Sequence, residues 1–266
     1  MKKITKVLGS LAMILGLASC GVNGSCNGDG ACEGGSGSID LDSINEYLSK
    51  DPYWANMNAN GNKVTLIPFT HINGPKVEWE FFGVVNFEYD YDFGYKYQVT
   101  YLSCTCRTSD VNYWQTAFID LSTPMSGNAD DIVLKNISFD VDDTGHYLGG
   151  FWGDSGVHGY DINGSGMTYE GIRDGFLPYL EGKTYGELKN LSTYDDINKE
   201  EFNAWALEKE LKITRLSTTE KGEDGKPLPL DPEQVNYDMY IGSSVSTNNI
   251  IRIANALMAY HAANNI

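Results

Sequence analysis

Residues 77–87 and 95–102 are rich in aromatic and β-branched side chains, and in the second stretch Tyr95, Tyr97, Val99 and Tyr101 alternate with Lys96, Gln98 and Thr100. A helix would scatter such residues around its axis, whereas an extended chain places them on one face. The pattern predicts antiparallel strands over 77–87 and 95–102, joined through Asp/Gly-containing turns. Runs at 64–69, 113–121 and 132–141 have the same character and extend the expected sheet. The many tyrosines read as sheet packing in preference to a sugar-stacking or flavin-stacking wall.

After Gly166 the spacing changes. Helix-like runs occupy 169–180 and 184–191, broken at Gly182-Lys183, and a stronger one covers 199–211 with Phe202, Trp205, Ala206 and Leu211 on one side. Asn198 is its expected N-cap, and Lys209 and Lys212 suit the negative end of the dipole. The polar, Pro/Gly-containing stretch 220–232 reads as an exposed loop. In the last run, 248–263, Ile250, Ile251, Ala254, Leu257, Met258 and His261 mark one apolar stripe. The fold class expected is therefore α+β, a twisted and mostly antiparallel sheet packed by helices from the C-terminal half.

The N-terminus is of another kind. Lys2, Lys3 and Lys6 precede an apolar run from Val7 to Ala18 that is too short to span a bilayer and ends in Leu17-Ala18-Ser19-Cys20. This reads as an export signal over 1–19, and Leu-Ala-Ser-Cys resembles a bacterial lipobox, with Cys20 as the acylated first residue of the mature chain. Residues 20–38 are glycine-rich and small, a composition that cannot bury a core and suits a tether. Residues 39–94 are expected to hold a short helix near 39–49 and then strands, either as a separate region or as part of the same sheet. The remainder, 95–266, forms the main domain. A formal charge of −17, made more negative by loss of the three signal lysines, argues against nucleic acid and against an electrostatic grip on anionic lipid.

Four cysteines remain besides Cys20. Cys26 and Cys32 lie in the tether, and Cys104 and Cys106 flank Thr105 at the end of a predicted strand, where alternation puts both thiols on one face. A structural disulfide and a strained, redox-responsive Cys-X-Cys bridge are both open, and four cysteines allow three complete pairings. Residues 140–145 begin like a calcium loop, but Phe151 stands where the loop needs a bidentate Glu. Gly153-Asp154-Ser155-Gly156 resembles the surroundings of a trypsin-like nucleophile, yet Val157 follows, and neither His71 nor His146 has the context of a catalytic base.

The most informative stretch is Asp238-Met239-Tyr240-Ile241-Gly242-Ser243-Ser244-Val245-Ser246-Thr247, which leads into the last helix. Ser246 or Thr247 is its expected N-cap, and a helix N-terminus beside a glycine and hydroxyls can receive a phosphate. The stretch resembles the flavin-attachment signature of the FMN-binding domain family, found in flavinylated subunits of sodium-pumping NADH:quinone oxidoreductase and Rnf complexes and in extracellular electron-transfer lipoproteins. In that pattern an Asp is followed, after two or three residues, by Ser/Thr-Gly-Ala-Thr/Ser, whose last hydroxyl carries FMN as a phosphoester. Asp238 and Gly242 match; Ile241 replaces the first hydroxyl, Ser243 the Ala, and Ser244 takes the acceptor position.

The resemblance implies that Asp238, Gly242, Ser243, Ser244, Val245, Ser246 and Thr247 make the cofactor site. It also implies a flavinyltransferase that uses FAD and a divalent metal, and electron donors among membrane quinols or flavoproteins. The expectation is a lipid-anchored, extracytoplasmic electron carrier that is itself a substrate of the transferase. The alternative, requiring only the signal, tether and aromatic sheet, is a surface lipoprotein that binds a solute, glycan or protein partner without a redox cofactor.

Overall fold

The computed structural model describes residues 65–73, 77–104, 112–139, 171–214, 216–240 and 246–266. The expected helix near 39–49, the signal, the tether and the motifs at 140–145 and 153–156 lie outside the described residues.

The fold is α+β. Five strands form an antiparallel meander in chain order: β1 (Thr65–Asn73), β2 (Val77–Tyr91), β3 (Gly94–Cys104), β4 (Asn112–Ser122) and β5 (Leu134–Phe139). The strands before residue 94 thus belong to the same sheet as those after it. β2 is the longest and serves two partners in succession, pairing with β1 over Val77–Val85 and with β3 over Val84–Tyr91. Only Val84 and Val85 are shared, and a bulge between Val85 and Phe87 falls at this transfer. A bulge bends and twists a strand locally, which lets the far half of the β1–β2 hairpin leave the plane of β3. Phe69 then meets Tyr101 edge-on, with ring centroids 5.8 Å apart.

One face carries the core: Ile67 and Phe69 of β1, Tyr97, Val99 and Tyr101 of β3, Ala117, Ile119 and Leu121 of β4, and Ile137 and Phe139 of β5. The simple alternation fails along β3, where Gln98 and Thr100 are buried as fully as their neighbours. Polar groups at such positions need partners, and Thr100 Oγ1 finds Thr116 Oγ1 at 3.0 Å on β4.

Four helices are described: α1 (Leu177–Leu180), entered through a π-helical turn Ile172–Phe176; α2 (Tyr185–Leu188); α3 (Lys199–Glu208); and α4 (Thr247–Asn265). Within the expected helix at 169–180, residues 172–176 take this wider turn and 177–180 are α-helical. Thr184 and Glu187 form a reciprocal capping box on α2, and Asn198 caps α3 through the amides of Glu200 and Glu201. The stretch 220–232 departs from a plain loop: β7 (Leu216–Lys221) pairs there with β8 (Pro227–Pro229), while β6 (Lys212–Ile213) pairs with β9 (Glu233–Gln234).

Helix α4 lies against the sheet. Ile250, Ile253, Leu257 and Met258 are buried in the same core as the strands, each such burial contributing about 1.5–3 kcal/mol. A Cβ at Gly83 of β2 would sit 2.8 Å from Cδ1 of Ile253 and 3.2 Å from Cγ1 of Ile67. Its absence sets how closely α4 approaches the β1–β2 hairpin.

Candidate functional site

The expected attachment turn connects two anchored points. On its N-terminal side a 3-10 helix spans Tyr237–Tyr240. Tyr240 is buried against Phe176, Tyr194 and Phe202, with its hydroxyl donating to the carbonyl of Gly171 at 3.4 Å. Tyr194 and Tyr237 stack with centroids 4.0 Å apart, and each hydroxyl donates to the other's main-chain carbonyl. Burial pushes the Tyr237 phenol up to about 12, so these hydroxyls remain protonated donors at neutral pH.

Asp238 points the other way, to the surface, where Lys199 Nζ at the start of α3 meets its carboxylate at 2.6 Å. An exposed ion pair adds little stability, but it offsets the negative charge that Asp238 would otherwise present to an anion. Sequence reading gave Asp238 a place in the site and missed Lys199, which lies 39 residues away in the chain.

On the C-terminal side Ser246 is the N-cap of α4, its Oγ accepting from Asn249 N at 3.2 Å. Thr247 is the first helical residue and not the cap, and both are buried. Gly242, Ser243, Ser244 and Val245, together with Ile241, lie outside the described residues.

Beneath Ser246 the helix is fastened to the edge of the sheet by side chains that bond main-chain groups. Asn249 Oδ1 accepts from Ile72 N at 2.9 Å, and its Nδ2 donates to Ile72 O at 2.8 Å. This is the pair of bonds that an additional strand would make, supplied by one amide side chain. β1 is an edge strand, and two residues earlier Arg252 repeats the arrangement, with one guanidinium NH donating to Thr70 O at 3.2 Å. Arg252 also donates through Nε to Ser192 O and pairs with Glu78 on β2, both at 2.6 Å. The same Asn249 Nδ2 reaches Ser246 Oγ at 3.1 Å, so the cap and the edge share one hydrogen-bonded group. Neither Asn249 nor Arg252 was singled out from sequence. Their signal was the i, i+3 spacing of two polar residues inside an otherwise apolar helical face.

Cys104 sits in this cluster, fully buried, its Sγ donating to Ile72 O at 3.4 Å and receiving Asn249 Nδ2 at 3.6 Å. Cys20, Cys26, Cys32 and Cys106 lie outside the described residues. His71 adjoins it, with Nδ1 donating to Leu102 O at 3.0 Å and Nε2 3.1 Å from the Asn112 side-chain amide. Burial lowers its pKa to about 4, assisted by the charge of Arg252, which keeps the ring neutral. His71 is thus a connector between the hairpin end and β3–β4. Among the described residues no group of three or more His, Cys, Asp or Glu could hold a metal ion.

The arrangement offers a buried tyrosine at position 240 and a capped, edge-locked helix that starts at Thr247. The first-turn amides and positive dipole end of such a helix favour a phosphate. The comparisons add no relative: no family model, no curated protein and no solved structure matches this chain.

Proposed function

We propose that this chain is a lipid-anchored, extracytoplasmic flavoprotein that carries FMN on Ser244 and relays electrons from membrane quinols or flavoproteins to an external acceptor. The observation that carries the reading is the coincidence of a flavin-attachment-like turn with a rigidly fixed helix N-terminus immediately after it, at Ser246.

The residues present fit a phosphate monoester. Ser243 and Ser244 supply hydroxyls, Gly242 carries no side chain to obstruct a phosphate, and Lys199 offsets the charge of Asp238. Ser244 Oγ would attack the phosphorus of FAD in the flavinyltransferase, losing its proton as AMP departs. The metal that assists this step belongs to the transferase. Ser246 caps α4 and Thr247 begins it, so the helix N-terminus follows Ser244 closely in the chain. Asn249 and Arg252 hold that terminus by tying α4 to β1. Bound FMN supplies the one- and two-electron chemistry, and the protein supplies position and electrostatics.

The decisive measurement is the mass of the peptide spanning Ser244, from chain produced together with a flavinyltransferase. A mass increase of one FMN moiety that survives denaturation, and disappears in Ser244→Ala, is the expected result. Unmodified peptide from a colourless native protein would leave the alternative, a solute- or partner-binding surface lipoprotein.

A further inference from the structure

The β2–β3 hairpin turns through Asp92 and Phe93, with Tyr91 opposite Gly94. Phe93 has φ +67°, a left-handed conformation that tight turns normally give to glycine or asparagine. A glycine stands next to it but is committed elsewhere. A Cβ on Gly94 would lie 2.5 Å from Leu121 O and 2.6 Å from the Tyr91 hydroxyl oxygen. The Phe93 side chain gains little packing in return for this strain, since it is 70% exposed. Backbone strain without a packing return is a reason to look for a use outside the fold.

The surroundings indicate what that use is. The β4 end is tied to the same tip by Thr123 N donating to Phe93 O at 3.1 Å, and the following loop presents Met125, 92% exposed. Further along β2, Phe87 and Tyr89 are exposed and their rings are nearly parallel. Two lysines border the tip in a strongly acidic chain. Lys135 donates to Phe93 O and to the Tyr91 hydroxyl and sits 5.0 Å from the Tyr91 ring centre, and Lys96 lies 5.8 Å from the same ring. Asp90, Asp92 and Asp120 outnumber them, so the tip has no positive field of its own.

Exposed Phe and Met at the end of a hairpin, with tyrosines and long lysines behind them, is the composition of a shallow bilayer contact. The apolar groups enter the headgroup boundary, and the amphipathic ones stay at the surface. We propose that the β2–β3 tip with Met125 touches the lipid of the bilayer that holds the acylated Cys20. This rests on the lipid-anchor reading above. Geometry permits it: 44 residues separate Cys20 from Thr65, a chain length that reaches at most about 150 Å. β1 starts opposite Val85, in the half of the sheet that leads to the tip. Because the contact is apolar, it is insensitive to salt and needs no anionic lipid.

The test places the photoreactive aromatic p-benzoylphenylalanine at position 93 of the full chain in cell membranes, with position 207, an exposed leucine on α3, as control. On illumination, phospholipid adducts form at 93 and are several-fold weaker at 207. Cross-links from 93 to protein, or lipid adducts no stronger than at 207, on a membrane-bound chain overturn this proposal alone. A chain recovered free of the membrane overturns the anchor reading and this proposal together. Phe93→Gly supplies the second readout, raising Tm by about 2–4 °C through relief of the turn. A fall in Tm would assign Phe93 to the fold and overturn the argument.

Discussion

The two ends of α4 are attached to the sheet by different physics. At the N-terminal end, Asn249 and Arg252 bond the main chain of an edge strand, and the side chains of Ile72 and Thr70 play no part in those bonds. At the C-terminal end the attachment runs mainly between side chains, with one bond to a main-chain carbonyl. The Tyr97 hydroxyl donates to His261 Nδ1 at 2.7 Å and accepts from Asn265 Nδ2 at 2.9 Å, while His261 Nε2 donates to Ser122 O at 3.2 Å. Around that chain of bonds the rings of Tyr95 and Tyr97 meet the His261 imidazole edge-on. Burial raises the Tyr97 phenol and lowers the His261 imidazole, so both are neutral and the bond has one direction. The first end fixes where the helix begins relative to a backbone, and the second fills the core. A site that depends on the position of a helix N-terminus needs the first kind of attachment.

The sharpest way to break this contrast is Asn249→Ala. It leaves the N–H and C=O of buried Ile72 without their side-chain amide and removes one partner of the Ser246 cap, at a cost of about 3–4 kcal/mol. Chemical denaturation measures the loss. A change below about 1 kcal/mol would show that water replaces the amide and that the edge needs no side-chain lock.

Acid sharpens the contrast next, through His71. Its pKa is about 6.5 unfolded and about 4 folded, so its neutral form contributes stability that is complete above 6.5. That contribution is lost as pH falls from 6.5 towards 4, amounting to about 3 kcal/mol. Stability measured at pH 7 and pH 4 should fall by about that much more in the parent than in His71→Asn. His261 acts with the same sign, since burial also lowers its pKa. Equal acid losses in parent and His71→Asn would remove His71 as the acid-sensitive point of the hairpin end.

The smallest effect belongs to Tyr97→Phe. The ring and its packing stay, one hydroxyl goes, and His261 Nδ1 and Asn265 Nδ2 each lose a partner, for a cost of about 1–2 kcal/mol. Thermal unfolding reads it, and the α4 N-terminus should be unaffected. If this variant also weakened flavin retention, the two ends of α4 would be coupled and the contrast would fail.

The same division marks what sequence can convey. Period-two aromatics exposed β3 and its neighbours, and three- and four-residue spacing exposed α4 as far as His261, because packing of apolar faces is written as periodicity. The Asn198 cap of α3 was legible because capping is local. Asn249 and Arg252 were marked only as polar residues on an apolar face, and Lys199 not at all, since each acts on a partner distant in the chain. The transfer of β2 between partners was hidden for a related reason. Val84 and Val85 are ordinary strand residues, and only the register of two ladders identifies them. The hairpin at 216–229 was masked by its Pro, Gly and charged residues, which read as a loop.

The bonds between Asn249 and Ile72 join residues 177 positions apart. During synthesis β1 emerges long before α4 exists, and closing so large a loop is among the slowest and most entropically demanding events on the way to the native state. The N-terminus of α4 therefore acquires its final setting only after α4 has returned to β1. A modifying enzyme that recognises that setting would act as a check on completed folding, marking finished molecules and passing over those still in progress.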